Sequence, residues 1–588
     1  MSGTTVNDIS TQSKNHHNYL IKSLLMKKNL LLPVLVWAVI FFSWTDQLFA
    51  QKADTVTVVA PMPGDLYKFI EKDTLSNGNR VNPNRYYRLE RGKVYVVNAT
   101  MYYRHSVNLI ADNDDPKSPK RPPILVNGKL ADGSNNLIMV ALMKNGTNCL
   151  FKNILFQGVS ATRTQGDDNQ AFALGGDSIR LSVDGCVFNA FGMQSIVIWG
   201  KANKFYIRNN IFRNMVQNHP FKGQLIANSG ALDQDTIIIT NNTSFNNNSY
   251  FWAPLQAIMN YEKIEHNTLY TSIVNVFYSP WMVNAEIRDN LFYGMLAYGQ
   301  MQSEIDGGWY DFNKSLSSII SMTTISSFIL GLHGMTEAGR KVTVSNNAYF
   351  WPQKIKNYWA QTPNMFASDL WMNTRTLDLF ADKTKHPNFL AENNISADPQ
   401  FNATMENKVL DSVVSWTYNM RTNSKSSFRN YNVGSTDILL PSWPLPEKLA
   451  YANTQLLTAG HDGLPIGDLN WFPAAKNQWN VLNGFPLENT MTGVQSPLQA
   501  NHENLQLSNF PNPANHLTTI SFNLPLGGNT VLKIYNLQGK EVATIISAKL
   551  DMGSHNYQFD TRELSPGVYV CHLNSGNLTA KSKLIVTK

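Results

Sequence analysis

The sequence predicts an all-β protein, a long parallel β-helix solenoid followed by a small C-terminal β-sandwich. Three observations predict it. Of the 588 residues, 67 are Asn, and only 15% are charged. Asn, with 35 Gly and 26 Pro, favours turns and corners over helices. A motif of an aliphatic residue, a polar pair carrying Asn, and then an aromatic residue recurs through the middle of the chain. The final stretch changes to short alternating strands separated by turn residues. A hydrophobic content of 43% supplies a sizeable core and excludes a charge-rich disordered chain.

Elements follow in chain order. Residues 1–50 read as an N-terminal extension and a secretory signal. Met26-Lys27-Lys28 opens an uncharged apolar run from Asn29 to Thr45, and Leu48-Phe49-Ala50 offers a small residue for cleavage. The alternative is a membrane anchor, but the run is short for a span and no basic cluster follows it. Residues 1–25 are polar and unpatterned, so Met26 is expected to be the true first residue. The mature form is then expected to lack a membrane span.

Residues 51–474 carry the solenoid and its capping segments. The motif reads Leu150…Asn153…Phe156, Val183-Asp184-Gly185-Cys186-Val187-Phe188, Ile207-Arg208-Asn209-Asn210-Ile211-Phe212 and Ile239-Thr240-Asn241-Asn242-Thr243-Ser244-Phe245. It continues at Ile264-Glu265-His266-Asn267-Thr268-Leu269-Tyr270, Ile287-Arg288-Asp289-Asn290-Leu291-Phe292 and Val344-Ser345-Asn346-Asn347-Ala348-Tyr349-Phe350. The aromatic positions advance by 32, 24, 33, 25, 22 and 58 residues. The 58-residue interval holds either a missed coil or an insertion. A strand, an Asn corner and a second strand per repeat is the unit of a parallel β-helix, whose coils stack at the strand spacing of about 4.8 Å. Asn209, Asn242, Asn267 and Asn347 are expected to stack at successive corners, with Phe212, Phe245, Tyr270 and Phe350 packed nearby. Seven Trp residues between 351 and 500 are expected to cap the solenoid rather than form a sugar platform. Residues 475–505 read as a linker.

Both ends of the solenoid carry a family resemblance. Tyr87-Arg88-Leu89-Glu90-Arg91-Gly92-Lys93-Val94-Tyr95 resembles the first coils of right-handed, pectate-lyase-like parallel β-helices. Asp398-Pro399-Gln400-Phe401 and the run Gly460 to Asp468 (GHDGLPIGD) resemble the closing stretch of that superfamily. The resemblance implies a right-handed solenoid and names no activity, because lyases, hydrolases, epimerases and adhesins share the fold.

Residues 506–588 form the sandwich, with strands expected around 520–522, 531–535, 557–559, 568–570 and 583–586. Asn509-Phe510-Pro511-Asn512-Pro513, Ile534-Tyr535-Asn536-Leu537-Gln538-Gly539-Lys540 and Leu564-Ser565-Pro566-Gly567-Val568-Tyr569 occur in order. This segment resembles the C-terminal sorting domain of type IX secretion cargo. The resemblance implies the type IX secretion machinery as a partner, passage through the outer membrane, and a secreted or cell-surface location.

Charge and cysteines bound the function. The net charge is +7 with no dense Lys/Arg block, so no nucleic acid partner is expected. Three cysteines, with no CxxC pair, exclude a disulfide framework and leave no signal for a structural zinc site.

The repeat also sets a register. If the aliphatic residue points inward, the residues on either side of it point outward. The outward rows are Ser182/Asp184, Tyr206/Arg208, Ile238/Thr240, Lys263/Glu265, Glu286/Arg288 and Thr343/Ser345. Lys263, Glu265, Glu286 and Arg288 then meet on adjacent coils. That set suits uronate β-elimination, with calcium held by Glu265 and Glu286 and with Lys263 or Arg288 as the catalytic base. The alternative is a salt-bridge ladder in which Lys263 faces Glu286 and Glu265 faces Arg288. Tyr206, Arg208, Trp309 and Tyr310 are the candidate substrate-binding residues, the last two in an acidic, aromatic loop with Asp306 and Asp311. Asp167, Asp168, Asp177, Asp233, Asp235 and His333 are weaker candidates. The expected function is a monomeric exported protein acting on polysaccharide, as a lyase or hydrolase of acidic glycans, or else a non-enzymatic adhesin or glycan-binding solenoid.

Overall fold

A computed structural model of the chain describes residues 54–60, 66–77, 79–115, 117–162, 169–278, 280–422, 431–483, 485, 506–524, 528–536, 540–550, 553–575 and 578–587. The expected signal segment and the Asp167-Asp168 pair lie outside these residues. The chain divides into two compact units, Met1–Met491 and Thr492–Lys588.

The first unit is a parallel β-helix. One face is an eleven-stranded sheet running from Thr55–Val58 to Phe389–Glu392. The second is a ten-stranded sheet from Val94–Val97 to Ile395–Ser396, and the third a six-stranded sheet from Met101–Tyr103 to Trp252–Ala253. Neighbouring strands within each pair in parallel, coil on coil. Strands of the eleven-stranded sheet alternate between buried and solvent-facing residues, as in Arg180–Asp184, Lys204–Arg208 and Asn284–Arg288. Strands of the six-stranded and ten-stranded sheets are mostly buried on both faces, because later segments cover them.

The corners explain the Asn content. In each polar pair the first residue adopts the left-handed conformation: Asn153, Asn209, Asn241, His266, Asp289, Asn346 and Asn393, with Gly185 at the one glycine corner. Asn tolerates this region better than other side chains. The second residue builds a buried amide ladder, Asn210–Asn242–Asn267–Asn290–Asn347–Asn394. Each Nδ2 donates to the Oδ1 of the next coil at 2.9–3.0 Å. Asn209 therefore does not stack with Asn242, as the sequence suggested; Asn210 does.

The aromatic column also differs from expectation. Phe156, Phe188 and Phe212 stack inside the solenoid, with ring centroids 5.1 and 4.8 Å apart. Phe212, however, pairs with Ser244, and Phe245 pairs with Arg213. One extra residue after the corner shifts the aromatic to the opposite face of the strand. Phe245, Tyr270, Tyr293 and Phe350 thus form a second, outward stack. Phe245, Tyr270 and Tyr293 are buried, because Phe401 and Tyr431 pack edge-on against them, while Phe350 is partly buried.

The 58-residue interval is an insertion. Phe292 pairs directly with Tyr349, and Arg288 with Ser345. A further coil follows it, at Phe389–Glu392 and Ile395–Ser396. The chain then returns along the ten-stranded face. Helix Ala403–Arg421 starts at Asn402, whose side chain accepts from the Met405 N–H, and buries Met405, Val409, Leu410, Val413 and Trp416. Arg213 and Glu447 form an ion pair at 2.7 Å with both side chains 0% exposed, tying the returning segment to the sheet. Trp351, Trp359, Trp416 and Trp479 are buried, and Trp443 and Trp471 donate to Asp114 and Thr243. These Trp residues bury against the flank of the solenoid and do not form an open platform. Helix Pro473–Leu482 occupies the start of the segment read as a linker, which moves the boundary of the packed chain beyond 474.

The second unit has a three-stranded and a four-stranded antiparallel sheet. Its strands match those expected, with Gln506–Phe510 and Glu541–Leu550 in addition. Ile520, Phe522, Leu532, Ile534, Cys571, Leu573 and Leu584 fill its core.

Candidate functional site

The eleven-stranded sheet brings the charged candidates together. Lys263 pairs in register with Glu286 and Glu265 with Arg288. Tyr206 and Arg208 lie two coils away in the same rows. The ion pairs differ from a simple cross-strand ladder. Glu265 is only 1% exposed. One of its oxygens meets Lys263 Nζ at 2.9 Å and the other accepts from Arg288 Nε at 2.7 Å. Arg288 also reaches Glu286 at 3.2 Å, and Tyr261 donates to Glu286 at 3.2 Å.

These contacts set the protonation states. Burial works against the Glu265 carboxylate, yet Lys263, His266 and Arg288 hold its pKa below the ordinary range. Burial likewise opposes the Arg288 guanidinium, yet Glu265 and Glu286 hold its pKa above the ordinary range. A proton-abstracting base needs the opposite shift. Arg208 and Tyr206 are engaged as well. The Arg208 guanidinium lies 4.5 Å from the Phe485 ring centre, and Arg180 lies 4.1 Å from that of Tyr206.

The loop candidates part company. Trp309 is 47% exposed. Tyr310 is buried, and its hydroxyl donates to Glu304 at 3.2 Å. Asp311 is buried against Arg375, and Asp306 accepts from Gln302 at 2.8 Å. His333 sits 3.4 Å from Asp233, and Lys204 sits 3.6 Å from Asp235. Asp177 accepts from the Lys201 N–H in a turn.

An open cleft of about 910 Å³ lies on the other side of the solenoid, along the edge of the six-stranded sheet. Phe221, Tyr250, Tyr278, Tyr298 and Trp309 supply its aromatic wall, and Gln194, Asn218, Gln224 and Ser229 its polar groups. Tyr250 stacks on Tyr278 at 4.6 Å and on Phe221 at 6.2 Å, while Trp309 meets Phe221 edge-on at 6.0 Å. Phe312, half exposed, continues the row beyond Tyr278. Gln170, Gln194 and Gln224 form an amide ladder along the strands. No carboxylate is among the residues lining the cleft. Sequence reasoning found only Trp309 of this set. The others come from four coils and an insertion, with no shared spacing; the Gln ladder was the available signal.

A third cluster sits where the closing strap Gly460–Asp468 crosses the corners. His266 Nε2 lies 3.0 Å from Asp462 and 3.6 Å from Asp289. His461 bonds Asp289 through its ring, which raises the imidazole pKa, and through its backbone N–H at 2.8 Å.

Residues 508–587 match the family of secretion system C-terminal sorting domains. No curated protein matches the chain. Fold and match together define the class, a parallel β-helix delivered by type IX secretion to the cell surface or the medium. Among the described residues no helix is long and apolar enough to cross a membrane.

Proposed function

We propose that this exported solenoid binds polysaccharide, with the sugar chain in the aromatic cleft at Phe221, Tyr278 and Trp309. The observation that carries this reading is an aromatic wall, with Trp309 exposed and Phe221 and Tyr278 partly so, beside amides in one open groove. Sugar rings present C–H faces that stack on aromatic faces, and their hydroxyls need donors and acceptors such as Gln194, Gln224 and Asn218. The lining, which also holds His219, offers no pair of carboxyl groups of the kind most glycoside hydrolases use, and binding is the reading it supports best. Affinity electrophoresis against pectin, alginate, chondroitin and neutral glycans tests it. Wild type is retarded by at least one polymer, and Trp309→Ala weakens that retardation about 5- to 10-fold. Equal migration of the two proteins in every gel counts against the cleft.

A second reading is calcium-assisted lysis of an acidic glycan on the charged face, with Glu265 and Glu286 at the ion and Lys263 or Arg288 as base. It is favoured by the contiguous placement of these four side chains on adjacent strands of one sheet. Unsaturated uronate released with calcium present, and lost in Lys263→Ala and Arg288→Ala, supports it.

A further inference from the structure

We propose that His266, Asp289 and Asp462 form a binding site for a divalent transition metal of zinc-like chemistry, which pins the closing strap to the solenoid. Three observations converge on it. The first is the choice of residue at the corners. The left-handed corner position is Asn in five coils and Gly185 in one, but His266 and Asp289 in two consecutive coils. Those are the two corners that residues 461 and 462 of the strap cover. The neighbouring corners hold the strap with plain amide bonds: Asn346 donates to the Ala459 carbonyl, and Asn241 accepts from the Leu469 N–H. Docking alone therefore does not require a histidine and a carboxylate at 266 and 289.

The second is geometry. The ligand atoms of His266, Asp289 and Asp462 all lie within 4.8 Å of one another, as do those of Glu265, Asp289 and His461. A tetrahedral ion with bonds of about 2.0–2.1 Å separates its ligand atoms by roughly 3.3 Å. The His266 Nε2 distances, 3.0 Å to Asp462 and 3.6 Å to Asp289, bracket that value. Glu265 is committed to Lys263 and Arg288, and the His461 ring to Asp289, which leaves the first triad as the ligand set.

The third is ligand chemistry. One imidazole nitrogen and two carboxylates, with a fourth position for water, suit zinc and its first-row neighbours, whereas calcium takes six or more oxygens. His266 and Asp289 are 0% exposed, so the site is rigid on the solenoid side. Asp462 is 12% exposed, which gives an ion a way in from the strap side.

The test uses the full chain, stripped with a chelator and titrated with Co2+ and Zn2+. One Co2+ per chain is expected, with the visible absorption of tetrahedral coordination, together with a rise in thermal unfolding temperature on adding Zn2+. His266→Asn, which restores the amide used at other corners, and Asp462→Asn, on the strap, each weaken binding about tenfold or more. His333→Asn, in the surface His333–Asp233 pair, leaves it unchanged. If His266→Asn does not fold, Asp462→Ala removes the ligand that the strap supplies and is expected to weaken the same titration. No stoichiometric binding overturns the site and reduces the cluster to ion pairs. So does binding that His266→Asn, Asp462→Asn or Asp462→Ala leaves intact.

Discussion

Asn267 donates through Nδ2 to the Ile239 carbonyl and to Asn290 Oδ1, while its own Oδ1 accepts from the Asn242 backbone and side chain. Every polar atom of a fully buried amide is thereby satisfied, and no other side chain of this size does the same. Asn267→Ala leaves partners in the two adjoining coils unpaired, and is expected to destabilise by about 3 kcal/mol in chemical denaturation. At Glu262, desolvation raises the carboxyl pKa from 4.5 to about 7, against one bond from Trp252 Nε1 at 3.0 Å. A raised pKa in the folded state means stability that is complete below pH 4.5 and is lost as pH rises towards 7. Glu262→Gln is expected to remove that decline in thermal unfolding and to gain up to roughly 3 kcal/mol above pH 7. The presence of an Asn corner was legible from the repeated pair. Which Asn stacks was not, because Asn serves both the left-handed position and the ladder. The signal lay in comparing coils: the second residue stays Asn at 242, 267, 290 and 347, while the first changes to His266 and Asp289.

Strands were legible where the period of two was intact. The rows on the eleven-stranded sheet follow from one aliphatic position per coil, and that sufficed to bring Lys263, Glu265, Glu286 and Arg288 together. Their burial was not legible. A strand pattern gives direction, but the cover over a face comes from distant segments such as the strap. This changes the expected energetics. Arg288→Ala removes one of two partners from a buried Glu265, so a loss of about 2–3 kcal/mol is expected rather than the fraction of a kcal/mol typical of an exposed pair. Urea unfolding above pH 6 measures it. Phe245 illustrates the other limit. Its one-residue offset hid the switch between inward and outward stacks. Burial under Tyr431 still predicts a loss of about 3–5 kcal/mol for Phe245→Ala. Wild-type stability in that variant would contradict the packing. The cleft was the least legible element, because the topology gathers its aromatics from several coils.

For the molecule as a whole, delivery resides in a unit of its own. The sorting domain at residues 508–587 is a self-contained sandwich with its own core. Deleting it is expected to leave the protein inside the cell, as fractionation and blotting would show. Intact mass spectrometry of the wild-type exported protein is expected to show a chain that lacks this domain. The solenoid unit offers one closed, charge-paired face and one open aromatic cleft, and the functional reading rests on which of them meets the glycan. The most direct measurement is a crystal structure of the protein with an oligosaccharide of the polymer that retards it best. The account predicts sugar rings stacked over Trp309 and Phe221, with hydroxyls bonded to the glutamine ladder. Sugar bound instead beside Lys263 and Arg288, with the cleft empty, would contradict it.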